Sequence, residues 1–128
     1  TLGIVERAGL FELQVQQHGL LRPLSPAELS DGTLRYIMLA TALLSPRPPG
    51  FLVLNEPETS LNPSLLPALA KLIKKSSDTS QIMVVSHAEP LTSALEETPD
   101  CLTHFLYKEF GETLCSSHAT TKWTWPKR

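Results

Sequence analysis

Apolar positions along this chain follow two rhythms. Phe51-Leu52-Val53-Leu54 and Ile82-Met83-Val84-Val85 are short unbroken apolar runs, bounded by polar or breaking residues. Runs of that length suit strands buried on both faces, as in a parallel sheet. Elsewhere the spacing changes to three and four. Leu34, Ile37, Met38 and Ala42 recur with a helical period, as do Leu65, Leu66, Leu69, Leu72 and Ile73. The first set predicts a core-facing helix from Gly32 or Thr33 to Leu44, capped by Ser30 or Asp31 and ended by Pro46. The second predicts a helix with Asn62 at the N-cap and Pro63 in its first turn, with Pro67 about a turn in.

The flanks read less sharply. Leu10 to Gln16 alternates apolar and polar residues, a half-buried strand pattern. Pro90 opens a short helix through Glu97 with Leu91, Ala94 and Leu95 inward. Leu102 to Tyr107 and Thr113 to Ser116 flank a turn supplied by Gly111, so a terminal hairpin is expected. Thr1 to Gly9 carries no pattern and reads as a tail or remnant. Trp123 and Trp125 are expected to pack on the body.

Strand, helix and strand in this order form a βαβ unit, which brings both strand ends to one edge of the sheet. Asn55-Glu56 ends the first strand and Ser86-His87 the second. Ligands of open α/β sheets bind beyond the carboxyl ends of the strands. A carboxylate there can orient water or approach a metal–phosphate group. Each motif also has a plainer reading. Asn55-Glu56 leads into a turn, Ser30-Asp31-Gly32 caps a helix, and a histidine ends a strand.

Taken in order, the motifs resemble the second half of an ATP-binding cassette ATPase domain. Leu29-Ser30-Asp31-Gly32-Thr33 is similar to the signature loop, and Leu52 to Glu56 to the Walker B strand. Ser60-Leu61-Asn62-Pro63 is similar to the D-loop and Ser86-His87 to the switch histidine. The Glu56-Pro57-Glu58…Leu61-Asn62-Pro63 form resembles soluble predicted ATPases related to RecF and chromosome-maintenance ATPases. Membrane-transporter cassettes usually read differently there.

The resemblance implies a partial P-loop NTPase fold, a mainly parallel sheet with flanking helices and a C-terminal hairpin. It implies ATP and Mg²⁺ as cofactors, an ATP-sandwiched homodimer, and a nucleic-acid or protein partner. Glu56 would orient the attacking water and His87 would bond the γ-phosphate. Ser30, Asp31, Gly32 and Thr33 would complete the site of the partner subunit, with Asn62 in the D-loop. Asn55 stands where an aspartate usually helps to hold Mg²⁺ through water. A neutral amide keeps an acceptor oxygen but loses the charge that hard cations favour, so weaker Mg²⁺ binding or slower hydrolysis is expected. That departure keeps open a second reading, a non-catalytic nucleotide-gated or structural interaction module.

No Gly-x-x-x-x-Gly-Lys-Ser/Thr phosphate loop begins at any of the six glycines. Residues 1–128 are therefore expected to be the C-terminal portion of a cassette domain, binding nucleotide poorly alone. The 128 residues suffice for one core. With 41% hydrophobic and 19% charged residues, disorder is not expected. A net charge of −2 argues against dense non-specific coating of nucleic acid. Lys71, Lys74 and Lys75 read as a solvated helix face. No apolar run approaches the roughly 20 residues that span a bilayer, and no signal peptide is visible. A cytoplasmic location follows as the expectation, with Cys101 and Cys115 as free thiols.

Overall fold

The computed structural model describes residues 1–117. Trp123 and Trp125 lie outside the described residues. Six strands and three α-helices follow one another as β1 (Leu2–Arg7), β2 (Leu10–Val15), α1 (Asp31–Leu43), β3 (Phe51–Asn55), α2 (Leu66–Ser77), β4 (Gln81–Val85), α3 (Glu89–Glu96), β5 (His104–Glu109) and β6 (Glu112–Ser117). The strands pair two by two. β3 and β4 run parallel, while β1–β2 and β5–β6 are antiparallel hairpins.

The central unit is the expected β3–α2–β4 crossover. Phe51 pairs with Gln81 and Asn55 with Val85, so the two strands end level. Leu54 joins Leu43, Leu61, Leu66, Leu69, Ala70, Ile73 and Leu91 in one buried cluster, with Leu52, Ile82 and Val84 packed against it. α2 and α3 thus cover one face of the parallel pair. The other face departs from the expectation of burial on both sides. Phe51, Val53, Met83 and Val85 are each 42–53% exposed; of these, Val53 lines an open groove with Leu34, Met38 and Ala42 of α1. Apolar runs report that a strand can be buried twice, not that a partner is at hand.

α1 is capped as expected, with the Ser30 side chain accepting from Thr33 N–H at 3.2 Å. Its inward face differs. Leu43 is buried and Tyr36 and Leu39 pack on the core, whereas Met38 is 71% exposed and Ala42 is also exposed. The sequence Leu-Arg-Tyr-Ile-Met-Leu-Ala-Thr-Ala-Leu-Leu is apolar almost all round, so periodicity alone does not select a face. At its far end, the buried Ser76 hydroxyl of α2 donates to the Leu43 carbonyl at 2.6 Å, satisfying a terminal acceptor that the helix leaves open.

The second helix begins in two stages. Asn62 caps a short 3₁₀ turn, Pro63–Leu65, by accepting from Ser64 N–H at 3.0 Å. The α-helix then starts at Leu66, so Pro67 stands in its first turn rather than a turn inside.

Thr1 to Gly9, patternless in sequence, supplies β1. The β1–β2 turn puts Ala8 at φ 52° and Gly9 at φ 76°, two successive positive values of the kind that tight hairpin turns need. Ala-Gly lacks the Asn-Gly signature of such turns. Phe110 at φ 48° and Gly111 at φ 87° repeat the arrangement in the expected β5–β6 hairpin. Cys101 and Cys115 are free and exposed. No helix among the described residues is long and apolar enough to cross a membrane.

Candidate functional site

Where β3 ends, its backbone turns sharply. Glu56 N–H still donates to the Val85 carbonyl at 2.7 Å, continuing the parallel ladder. The residue itself adopts φ 44°, a left-handed conformation that costs a side-chain-bearing residue about 1 kcal/mol or more. The turned peptide offers its carbonyl to Arg35 of α1, whose Nη2 donates at 2.9 Å. Glu56 and His87 therefore reach one rim from neighbouring strand ends. His87 Nδ1 stands 3.7 Å from Glu56 Oε1, with the two side chains 76% and 50% exposed. That is outside hydrogen-bond range, yet close enough to serve a common ligand.

A second carboxylate lies beneath them. The Glu58 side chain is 8% exposed and its Oε1 is 3.6 Å from His87 Nδ1. The same oxygen accepts from the Ser86 hydroxyl at 2.6 Å and from His87 N–H at 3.1 Å. Burial pushes the Glu58 carboxyl up. The Ser86 hydroxyl, its own backbone N–H and those of His87 and Ala88 outweigh this and hold it below the usual carboxylate range. Sequence reading gave Glu58 no role beyond marking the motif's variety. Its spacing across Pro57, which is fully buried, was the available signal, but burial is not written at single positions.

The remaining candidates gather elsewhere. Ser30, Asp31, Gly32, Thr33 and Asn62 border one concavity of about 440 Å³, together with Ser60, Leu61 and Leu65. Ser30 Oγ lies 2.9 Å from Thr33 Oγ1. Asp31 occupies the first turn of α1, where the helix dipole favours a negative charge. The capping oxygens of Ser30 and Asn62 both hold backbone N–H groups, so the plain capping roles are filled. Gly32 abuts the Ser60 carbonyl. Asn55, exposed at the end of β3, lines an adjoining groove against α1 with Asp31, Leu34, Arg35 and Ser60. Arg35, another residue without a role in the sequence reading, links the two groups through the Glu56 carbonyl.

No group of three or more His, Cys, Asp or Glu among the described residues is arranged to hold a metal. A half-exposed Glu56 beside Asn55 does fit Mg²⁺, which uses one or two protein oxygens and takes the rest from water and phosphates. The open imidazole and carboxylate likewise fit one side of a nucleotide's phosphate end, while the chain's own sequence offers no loop to cradle the other side.

The family described as "AAA domain, putative AbiEii toxin, Type IV TA system" matches residues 13–93. A solved SMC ATPase, described in terms of ATP-driven dimerization and DNA-stimulated activation, superposes with a TM-score of 0.75 at 18% identity. The match covers 93% of this chain and 73% of that one. An SmcHead bound to the C-winged helix domain of ScpA superposes with a TM-score of 0.70, also at 18% identity, over 87% of this chain and 32% of that one. These likenesses establish a shared α/β fold. Among curated proteins, none matches the chain.

Proposed function

The chain belongs to this AAA domain family, and from that premise we propose that residues 1–128 are the C-terminal portion of an ABC-type ATPase domain that hydrolyses ATP between two copies. The observation that carries the reading is the meeting of Glu56 and His87, 3.7 Å apart, at the level ends of two parallel strands. Glu56, half exposed, orients the attacking water and accepts its proton. His87 donates to the γ-phosphate. Ser30, with the N–H groups of Asp31 and Gly32, meets the phosphate from the partner subunit, since a helix tip presents free donors and a positive dipole end. Asn62 belongs to the loop joining the two sites. Mg²⁺, when bound with the nucleotide, supplies neutralisation of phosphate charge. Asn55 offers it one acceptor oxygen through water.

The uncovered face of Phe51, Val53, Met83 and Val85 supports the view that an upstream lobe with a Walker A loop completes the sheet, since contiguous exposed apolar surface marks a contact. The ATP-driven dimerization and DNA-stimulated activation of the similar SMC ATPase, and the binding of the similar SmcHead to the C-winged helix domain of ScpA, support a homodimer and a nucleic-acid or protein partner. Asn55 favours a second reading, in which the domain binds nucleotide as a gate or scaffold without turnover.

Steady-state phosphate release by the full-length protein separates the two. Glu56→Gln is expected to abolish release while ATP binding persists. Unaltered turnover in that variant removes Glu56 from the mechanism. A wild-type protein that binds ATP without releasing phosphate supports the gate.

A further inference from the structure

Glu56 is held from a direction that its own strand does not supply. Its carbonyl accepts twice, from Thr59 N–H at 3.1 Å and from Arg35 Nη2 of α1 at 2.9 Å. The first bond closes a turn after β3, and Leu61 N–H, donating to the Glu58 carbonyl at 3.0 Å, closes the next. Left-handed residues other than glycine stand at both ends of this loop, Glu56 at φ 44° and Ser60 at φ 64°. Such conformations are disfavoured and persist only where the surroundings over-determine them. α1 supplies those surroundings at two points. Arg35 clamps the carbonyl at the start of the loop, and Gly32 abuts the Ser60 carbonyl at its end.

Arg35 does more than fill space. Its Nε is buried and has no hydrogen-bond partner among the described residues, and a buried donor left unpaired is destabilising. An apolar side chain would cover the same groove, beside Leu34, Met38 and Val53, without that cost. What the guanidinium alone adds is the bond from one terminal nitrogen to the Glu56 carbonyl. That carbonyl belongs to the residue whose carboxylate faces His87 across the rim. The angle at which its peptide is held therefore sets where the carboxylate points.

We propose that Arg35 is a positioning residue for Glu56. From α1 it fixes the left-handed turn, keeps the carboxylate at the rim, and ties it to the helix whose tip meets the nucleotide of a second copy. This rests on the ATPase reading for its purpose, not for its geometry. Arg35 touches no reacting atom. A catalytic group misplaced by about 1 Å can cost on the order of a hundredfold in rate, while ATP binding, which other groups make, is kept.

The test uses the full-length protein. Arg35→Met keeps most of the apolar stem and removes the donor. It is expected to lower kcat on the order of 10- to 100-fold, with KM for ATP within about twofold. Exchange of the Thr59 amide, whose acceptor is the clamped carbonyl, should quicken about tenfold. Arg35→Lys, which keeps a donor one atom shorter, should recover most of both losses. If Arg35→Met does not fold, Arg35→Gln takes its place, because its amide ends where Nε stands and cannot make the bond. A kcat within about twofold of wild type in either variant, beside a dead Glu56→Gln, overturns the positioning role and leaves the ATPase reading standing. A wild type that releases no phosphate, with Thr59 exchange quickened in Arg35→Met, supports the clamp and overturns its catalytic purpose. Thr59 exchange that does not respond to Arg35→Met overturns the clamp itself.

Discussion

At Gly32 there is no room for a methyl group. A Cβ there would lie 2.3 Å from the Ser60 carbonyl oxygen, inside the 3.0 Å that real Cβ contacts respect. The obstacle is backbone, held at φ 64° by Ser60 itself, so it cannot swing aside as a side chain could. Alanine favours helices over glycine by about 1 kcal/mol. Here, nonetheless, Gly32→Ala is expected to destabilise the protein by about 1–3 kcal/mol through overpacking. Urea unfolding checks it, and an unchanged midpoint would show that α1 and the 60–62 loop do not approach as described. In the sequence this glycine reads only as part of a phosphate loop. Ser30 and Asn62 were legible as caps because capping is local chemistry, acting over two or three residues. Glu58 and Arg35 were not, because their partners lie 28 and 21 positions away.

The turn from β4 to α3 answers to pH through Glu58. Its carboxyl is held below 4.5 in the folded protein, burial being outweighed by the Ser86 hydroxyl and backbone N–H groups. A lowered folded value means that the stabilisation is complete above the unfolded pKa, near 4.5, and is lost as pH falls through the folded value. Protection of the His87 amide from hydrogen exchange is therefore expected to weaken below about pH 4.5, and Glu58→Gln to remove that dependence. Protection that stays level from about pH 6 to about pH 3 counts against the Glu58 bond. The elements themselves divide by how local their signals are. β3, β4 and α2 were legible from run length, capping and proline punctuation. β1 was not, because a strand with an exposed face and an Ala-Gly turn shows neither alternating burial nor a strong turn signal. The inward face of α1 is not legible, because nearly every side of the helix is apolar.

For the whole molecule, the proposed sandwich makes a prediction about mass. Glu56→Gln full-length protein with ATP and Mg²⁺ is expected to accumulate as a dimer in light scattering, and Ser30→Arg added to it to keep the protein monomeric. A mass indifferent to ATP in the Glu56→Gln protein sinks the sandwich while leaving the rim geometry intact. The sequence alone determined the α/β class, the βαβ order, the C-terminal hairpin and the placing of Glu56 and His87 at two strand ends. Those follow from periodicity and punctuation over a few residues, and from the rule that parallel neighbours end on the same edge. Only the tertiary structure decided that Glu58 is buried under His87, that Gly32 abuts Ser60 and that one face of β3–β4 stays open. Such features depend on which atoms distant segments bring within a few ångströms, and no single position or local pattern carries that information.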